Sequence, residues 1–389
     1  MEIHSEFRHH FDRTPGFSLR APGRVNLLGE HVDYNEGFVL PAAIDRAVHL
    51  AFSPTEDRSV TLVALDLNES VSFDPEKLDE KRDVNGKPLP TWALYPAGVA
   101  WVLGNAGYRL TGMQAVYSSN IPIGAGLSSS AAVEVGFALA WQTLGGWEAD
   151  RLLLAQLCQK AENQFVGVAC GLMDQYASAN GVKGHALYLD IRSLECQLAP
   201  LPEETAIVIA DSGIRRSLAN SEYNQRRAAC EQAVTLLQQH LPQIRSLRDV
   251  SPTEFAAYSV YLPPTVRKRA EHVVKEIARV ESAFNALLRQ DKSAFGALMY
   301  AGHASLRDLY EVSLPDLDRL VALTRELPGC LGARLTGAGF GGCTVNLVEK
   351  ENTPDFIRGL KENYHAATGK QIQVYYCEAV DGASLESFI

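Results

Sequence analysis

The 389-residue sequence lacks an excess of positive charge. Thirty-six lysines and arginines stand against 46 aspartates and glutamates, a formal charge of −10. Nucleic-acid binders draw most of their affinity from neutralised phosphates, so polynucleotide is not an expected partner. A local basic pocket for one small anion stays open. The sequence also lacks any C-x-x-C pair. Its seven cysteines, at positions 158, 170, 196, 230, 330, 343 and 377, are odd in number. That argues against a disulfide framework or a zinc ribbon and fits reduced thiols in cytosol. No apolar run approaches the ~18 residues that cross a bilayer, and the longest candidate, residues 131–139, contains Glu134. The first eleven residues carry three histidines and no apolar h-region, so no secretory leader is expected. Repeats and low-complexity segments are missing too. The expectation is a soluble, cytoplasmic protein without membrane contact.

Apolar residues make up 46% and charged residues 21%, ordinary globular values that exclude a disordered, collagen-like or coiled-coil chain. A single core rarely exceeds ~250–300 residues, so two domains are expected. Segments 47–52, 60–65, 113–118, 186–191 and 206–210 read as strands, and the charged, Pro/Gly-bearing stretch 79–90 as a surface loop. Residues 128–144 read as a helix apolar nearly all round, ended by Gly145 and Gly146. Asp150 caps another, running to about Phe165. Long helices follow at 221–239 and 263–290, a shorter one at 315–327, then strands at 343–348 and 371–377. The 263–290 helix places apolar residues at alternating steps of four and three, one core-facing stripe. Its charges Arg267, Lys268, Arg269, Lys275 and Glu276 read as a solvated face. Histidines 4, 9 and 10 likewise fit a solvated helix face. Strands and helices without regular βαβ alternation argue an α+β fold. The weakest point along the chain is near Pro200–Pro202, which gives domains of 1–202 and 203–389.

Three glycine-bearing motifs carry chemistry. The first runs from Pro122 through Gly124, Gly126 and Ser128-Ser129-Ser130 to Ala132. It follows a strand and opens a helix, where unpaired N–H groups and close backbone approach make an anion site. No lysine follows, so it is not a Walker A loop. The competing reading, a glycine turn with serine caps, needs only one serine. The second, Leu335 to Cys343, contains G-x-G-x-x-G at 337, 339 and 342. A dinucleotide site would need a helix next; instead an alternating strand follows, leaving a strand–glycine loop–strand. The third runs from Pro22 to Asn35 and gathers Arg24, Asn26, Glu30, His31 and Asp33. A zinc site here would be incomplete with one histidine. The dense set of donors and acceptors suits a polyhydroxylated substrate; a polar loop with capping bonds is an equal alternative on these residues alone. Asp174 would sit in a helix first turn, where a plain helix-start aspartate is commoner, and Glu162 taken alone reads as a solvated helical residue.

Together these motifs resemble the GHMP small-molecule kinases and, within them, the galactokinases. The run Gly23 to Tyr34 resembles the galactokinase signature, residues 122–132 the shared phosphate loop, and residues 335–343 the third superfamily motif. The likeness continues through residues 92–95, 161–167, 170–175 and 217–227. The resemblance implies a two-domain GHMP fold. Its N-terminal domain would be like domain 2 of ribosomal protein S5, its C-terminal domain an α/β sandwich, with the active site between them. It implies transfer of the ATP γ-phosphoryl group to the C1 hydroxyl of α-D-galactose, the entry step of galactose catabolism by the Leloir pathway, by a monomer using Mg²⁺. By the same resemblance Asp174 is the base and Arg24 stabilises charge. Glu30, His31, Val32, Asp33, Gly171, Asp174 and Tyr223 bind sugar. Gly124, Ala125, Gly126, Leu127, Ser128, Ser129 and Ser130 hold the triphosphate, Trp92 approaches adenine, and Ser130 and Glu162 hold Mg²⁺. One departure is Asp211-Ser212-Gly213, where the family pattern has an Asn-Ser-Asn-like stretch. Kinases of N-acetylgalactosamine or L-arabinose share much of this signature. Non-catalytic galactose sensors share it as well but lack part of the serine–alanine run, which is complete here at 128–132.

Overall fold

A computed structural model describes residues 3–122, 124–215 and 219–386; side chains are described from 222 onward in the last span. Ile123 of the phosphate loop and Ser217 of the 217–227 likeness lie outside the described residues. The strands are β1 (Phe17–Asn26), β2 (Phe38–Val39), β3 (Pro41–Pro54), β4 (Val60–Ala64), β5 (Glu69–Phe73), β6 (Met113–Ser119), β7 (His185–Asp190), β8 (Cys196–Pro200), β9 (Thr205–Asp211), β10 (Cys330–Thr336), β11 (Cys343–Glu349), β12 (Gln373–Cys377) and β13 (Ser384–Glu386). They form a sheet of order β13-β1-β3-β6-β4-β5, a second of order β10-β11-β9-β12, and a small third, β2-β7-β8. Pairing is antiparallel except between β4 and β6. The chain thus returns its last described strand to the first sheet.

The Ser129–Gly145 helix packs on β1 and β3. It is buried on nearly every face, as its all-round apolar sequence requires, and Gly146 ends it in the left-handed conformation (φ 65°). Ser128 stays outside it, with φ 59°. Asp150 does cap the next helix, accepting from the Leu153 N–H at 2.7 Å. That helix widens into a π turn over Ala161–Val166, so Glu162 O accepts from both Gly167 and Val168 N–H. Such turns displace a side chain from the regular helical position. Around the second sheet, the helices Lys292–Ser305, Pro315–Thr324 and Thr353–Thr368 pack on its strands.

Two sequence expectations are corrected. The charges of the Pro264–Leu288 helix are not all solvated: Arg269 and Glu276 are buried. Arg269 pairs with Glu311 and Glu276 with Arg334. A single-helix reading cannot foresee this, because both partners come from distant segments. Glu162 is not a solvated helical residue either; the π turn buries it to 6% exposure. Strand β1 is hidden in the sequence because Pro22, Gly23 and Arg24 interrupt any alternation. Its pairing with β3 shifts register between Pro22 and Arg24, an irregularity that re-aims the arginine.

Candidate active site

A cavity of about 440 Å³ gathers the three glycine motifs and the Asp174 helix start. Arg24, at the end of β1, forms its floor. The guanidinium donates to both carboxylate oxygens of Asp174, at 2.8 and 2.9 Å, and to Gly126 O at 2.7 Å. Such a bidentate fork fixes both partners. Ser128 Oγ donates to Asp174 at 2.5 Å, so this serine does not cap the helix; it faces the carboxylate. Close backbone contact makes the arrangement possible. A Cβ on Gly23 would lie 2.6 Å from Leu127 O, so only glycine lets β1 touch the phosphate loop.

On one side of Asp174 lies the Gly29–Asn35 turn. His31 sits at φ 65°. Its Nδ1 pairs with Tyr34 Oη at 2.8 Å and its Nε2 with Ala338 O at 3.1 Å. A carbonyl only accepts, so Nε2 donates and Nδ1 accepts from Tyr34. Tyr34 Oη in turn meets Tyr310 Oη at 2.6 Å, and Tyr223 closes the aromatic wall 5.4 Å from the His31 ring. Glu30 faces the cavity but is tied to Arg334 and to the Gly337 N–H. Val32 points away into the core, its side chain against Gly37.

Asp33 accepts from the Tyr34 N–H at 2.9 Å. Burial, with the Asp174 charge adding, pushes its carboxyl up to about 6. In the role that the family resemblance gives Asp33, accepting sugar hydroxyls, this carboxylate would protonate near pH 6, where a solvated aspartate would still be ionised. The KM for galactose is therefore expected to rise about tenfold per pH unit well below that value. Linkage has the opposite sign for stability: a folded state that binds this proton more tightly than the unfolded chain gains, on this group's account, as pH falls through 6. A KM flat from about pH 7 to pH 5 would contradict the assignment.

Gly171 approaches the same carboxylate so closely that an added Cβ would lie 1.9 Å from Asp33 Oδ2. Gly171→Ala is expected to raise the galactose KM about tenfold or more while the ATP KM stays within twofold, because the clash displaces Asp33 alone. Steady-state kinetics with each substrate varied checks this.

On the other side of Asp174, Gly124 (φ 70°) and Gly126 (φ 81°) turn loop backbone toward the cavity, and the helix N-terminus at Ser129 follows. Ala125 is buried beneath. Ser129 and Ser130 line the space. The Ser130 hydroxyl lies near enough to Glu162 to favour its ionised form slightly. Glu162 accepts from Gln175 Nε2 at 2.7 Å and from Cys170 Sγ at 3.3 Å. The same Gln175 amide reaches Glu134 at 3.0 Å. Burial pushes Glu162 up to about 7, with Asp174 adding and Cys170 and Gln175 opposing. Glu134, wholly buried, is driven well above the carboxylate range by burial and by Glu162. Trp92 does not line this cavity; it donates to Glu69 at 2.6 Å and packs near Tyr117.

Sequence reasoning misses several neighbours. Arg215 stands over Gly124, its Cδ 2.9 Å from where a Cβ would be, and faces the cavity. Asp211 holds it bidentately at 2.8 and 2.9 Å. The unusual aspartate of the Asp211-Ser212-Gly213 stretch is thereby explained. Gln175, on the mixed-polarity Met173–Asn180 helix, carries no signal of its own; the glutamate at 134, inside an apolar helix, does.

The glycine loop at a helix start, the aspartate–arginine pair and the antiparallel glycine hairpin define a small-molecule kinase of the GHMP class. Models described as the GHMP kinases N terminal domain and the GHMP kinases C terminal match residues 95–182 and 283–366. A mevalonate kinase crystal structure superposes with TM-score 0.65 at 20% identity, covering 94% of this chain and 100% of that one, a likeness of fold alone. The model named the galactokinase galactose-binding signature matches residues 5–54. Galactokinase from Roseiflexus sp. (strain RS-1) is 47% identical over 381 residues, 98% of this chain and 96% of the relative. Human galactokinase is 42% identical over 389 residues, 99% and 96% of the two chains. The crystal structure of Lactococcus lactis galactokinase complexed with galactose superposes with TM-score 0.92 at 35% identity, covering 98% of each chain. The chain belongs to the galactokinase family.

Proposed function

We propose that this chain transfers the γ-phosphoryl group of ATP to the C1 hydroxyl of α-D-galactose, giving galactose 1-phosphate and ADP. The observation that carries the reading is the Arg24–Asp174–Ser128 constellation, set between a hydroxyl-reading wall and a phosphate loop in one cavity. Phosphoryl transfer passes through a loose transition state, so positioning and charge stabilisation supply most of the catalysis. Asp174 orients the sugar hydroxyl and takes its proton as the O–P bond forms. Arg24 keeps Asp174 in place and answers the charge that develops nearby. Asp33, His31 and Tyr223 form the sugar wall. The N–H groups of the 124–130 loop face the triphosphate, with Arg215 above it.

Ser130 and Glu162 would hold Mg²⁺. The oxygen-only donor set fits a hard divalent cation that keeps waters and phosphate oxygens. So does the paired burial of Glu162 and Glu134, whose Oε1 has no geometric hydrogen-bond partner among the described residues, since a buried carboxyl pair favours a nearby cation. Among the described residues no cluster of three His, Cys, Asp or Glu forms a self-sufficient metal site. When bound, Mg²⁺ would shield the triphosphate charge.

We place the domain division near 202/203, with the C-terminal strand β13 crossing back to the first sheet. Support comes from the sheets: β8 ends at Pro200 and β9 opens the second sheet at Thr205. We take the working unit to be a monomer. Among the described residues no helix is long and apolar enough to cross a membrane. A cytoplasmic setting agrees with the seven free thiols.

The test is ADP release with galactose, N-acetylgalactosamine and L-arabinose measured side by side. Galactose is expected to give the highest kcat/KM. Turnover of another sugar with none on galactose would overturn the substrate assignment. Galactose and ATP binding without ADP would mark a sensor.

A further inference from the structure

Arg334 lies at the end of β10, and no described side chain of its size is more deeply buried: its exposure is 0%. Its guanidinium donates to Glu30 through Nη2 and to Glu276 Oε1 through Nη1 at 2.9 Å. Glu276, on the Pro264–Leu288 helix, also pairs with Arg279 and accepts from the Gly29 N–H at 3.0 Å. Against a large burial cost, Arg334 and Arg279 hold its carboxyl well below the usual range. Burial pushes the Glu30 carboxyl up to about 7, with Arg334 opposing; the two acidic groups and two guanidiniums close a hydrogen-bonded network beneath the sugar side of the cavity.

The network joins segments that are 304 positions apart in sequence. Glu30 Oε1 accepts from the Gly337 N–H at 3.4 Å. Asn26 and Thr336 exchange two bonds, at 3.0 and 3.1 Å, and the buried His272 reaches Glu30 O at 3.3 Å. The 29–35 turn and the 337–342 glycine loop are thus held in one register, with Arg334 at the centre. A second observation shows that the space is shaped for this side chain. A Cβ on Gly302 would meet Arg334 Nη1 at 2.9 Å, although Gly302 lies within the Lys292–Ser305 helix, where glycine is otherwise unfavourable.

We infer that Arg334 is a positioning residue for galactose. It sets the Glu30 carboxylate and, through it, the approach of the 29–35 turn to the 337–338 backbone that lines the sugar side. Arg334 touches no reacting atom and leaves the phosphate loop alone. A buried ion pair is weak evidence for stability but can specify one arrangement over its competitors. The inference rests on the galactose reading above.

Two variants test it. Arg334→Lys keeps the charge but cannot donate to both carboxylates in a fork. Gly302→Ala keeps every charge and pushes on the guanidinium. Both are expected to raise the galactose KM about tenfold, with the ATP KM and kcat within about twofold of wild type. Melting temperature and active-site fraction are measured alongside. A merely structural role would lower the melting temperature and leave both KM values in place, and that result would overturn the proposal. So would an equal rise in both KM values, which would mean that the network holds the whole cleft. If Arg334→Lys does not fold, Gly302→Ala decides alone. Wild-type turnover of galactose in the same assay separates this outcome from failure of the functional reading.

Discussion

Asp174→Asn is expected to lower kcat on the order of 10³-fold while galactose still binds. The amide retains the size of the carboxylate and can accept one bond, so Asp33, His31 and Tyr223, the proposed sugar wall, keep their places along the cavity. It cannot take the hydroxyl proton. It also presents an N–H to Arg24 or Ser128, both of which now donate to carboxylate oxygens, so one donor must turn away. Galactose binding by calorimetry in the absence of ATP, together with single-turnover ADP release, separates the two effects. Near-normal kcat would remove Asp174 from the role of base; lost galactose binding would show that its contribution is mainly to binding.

Arg24→Gln is expected to lower kcat/KM by about 10²–10³-fold, mainly through kcat. The side chain is buried to 4% exposure and makes three charge-assisted bonds. Truncating it leaves the Asp174 carboxylate with Ser128 as its sole described hydrogen-bond partner and frees Gly126 O in the phosphate loop. The variant therefore damages both halves of the reaction at once: proton acceptance and triphosphate geometry. A loss confined to the galactose KM would contradict this. Arg24→Lys should recover only part, since an ammonium cannot reproduce the fork.

Much of this site is legible in the sequence. The phosphate loop can be read there because its glycines and serines act locally, through backbone conformation and exposed N–H groups at a helix start. The 335–343 segment reads as strand–glycine loop–strand for the same reason, and β10 and β11 indeed pair from Thr336–Cys343 outward. The apolar stripe of the Pro264–Leu288 helix is equally plain. Arg269 and Glu276 on that helix are misread, because helical periodicity says where a side chain points along its own element and nothing about what lies opposite. Helices Leu94–Asn105, Lys292–Ser305 and Thr353–Thr368 also escape a sequence reading, the first because it is apolar on most faces and interrupted by Pro96 and Gly98.

The sequence alone determined the class of chemistry. The polar groups of the Pro22–Asn35 run, a glycine–serine helix start and a glycine-rich hairpin each express their character over a few residues, and their types are enough to suggest a hydroxyl-bearing substrate and a phosphate. The tertiary structure decided which groups work together. It aimed Ser128 at Asp174 where a helix cap was an open alternative, set Arg215 over the loop, joined Glu162 to Glu134 through Gln175, and buried Arg334 beneath Glu30. Each of these pairings is a long-range contact between groups whose local preferences are solvation or capping. Burial overrides that preference by removing water and leaving the remote partner as the best available hydrogen bond or charge.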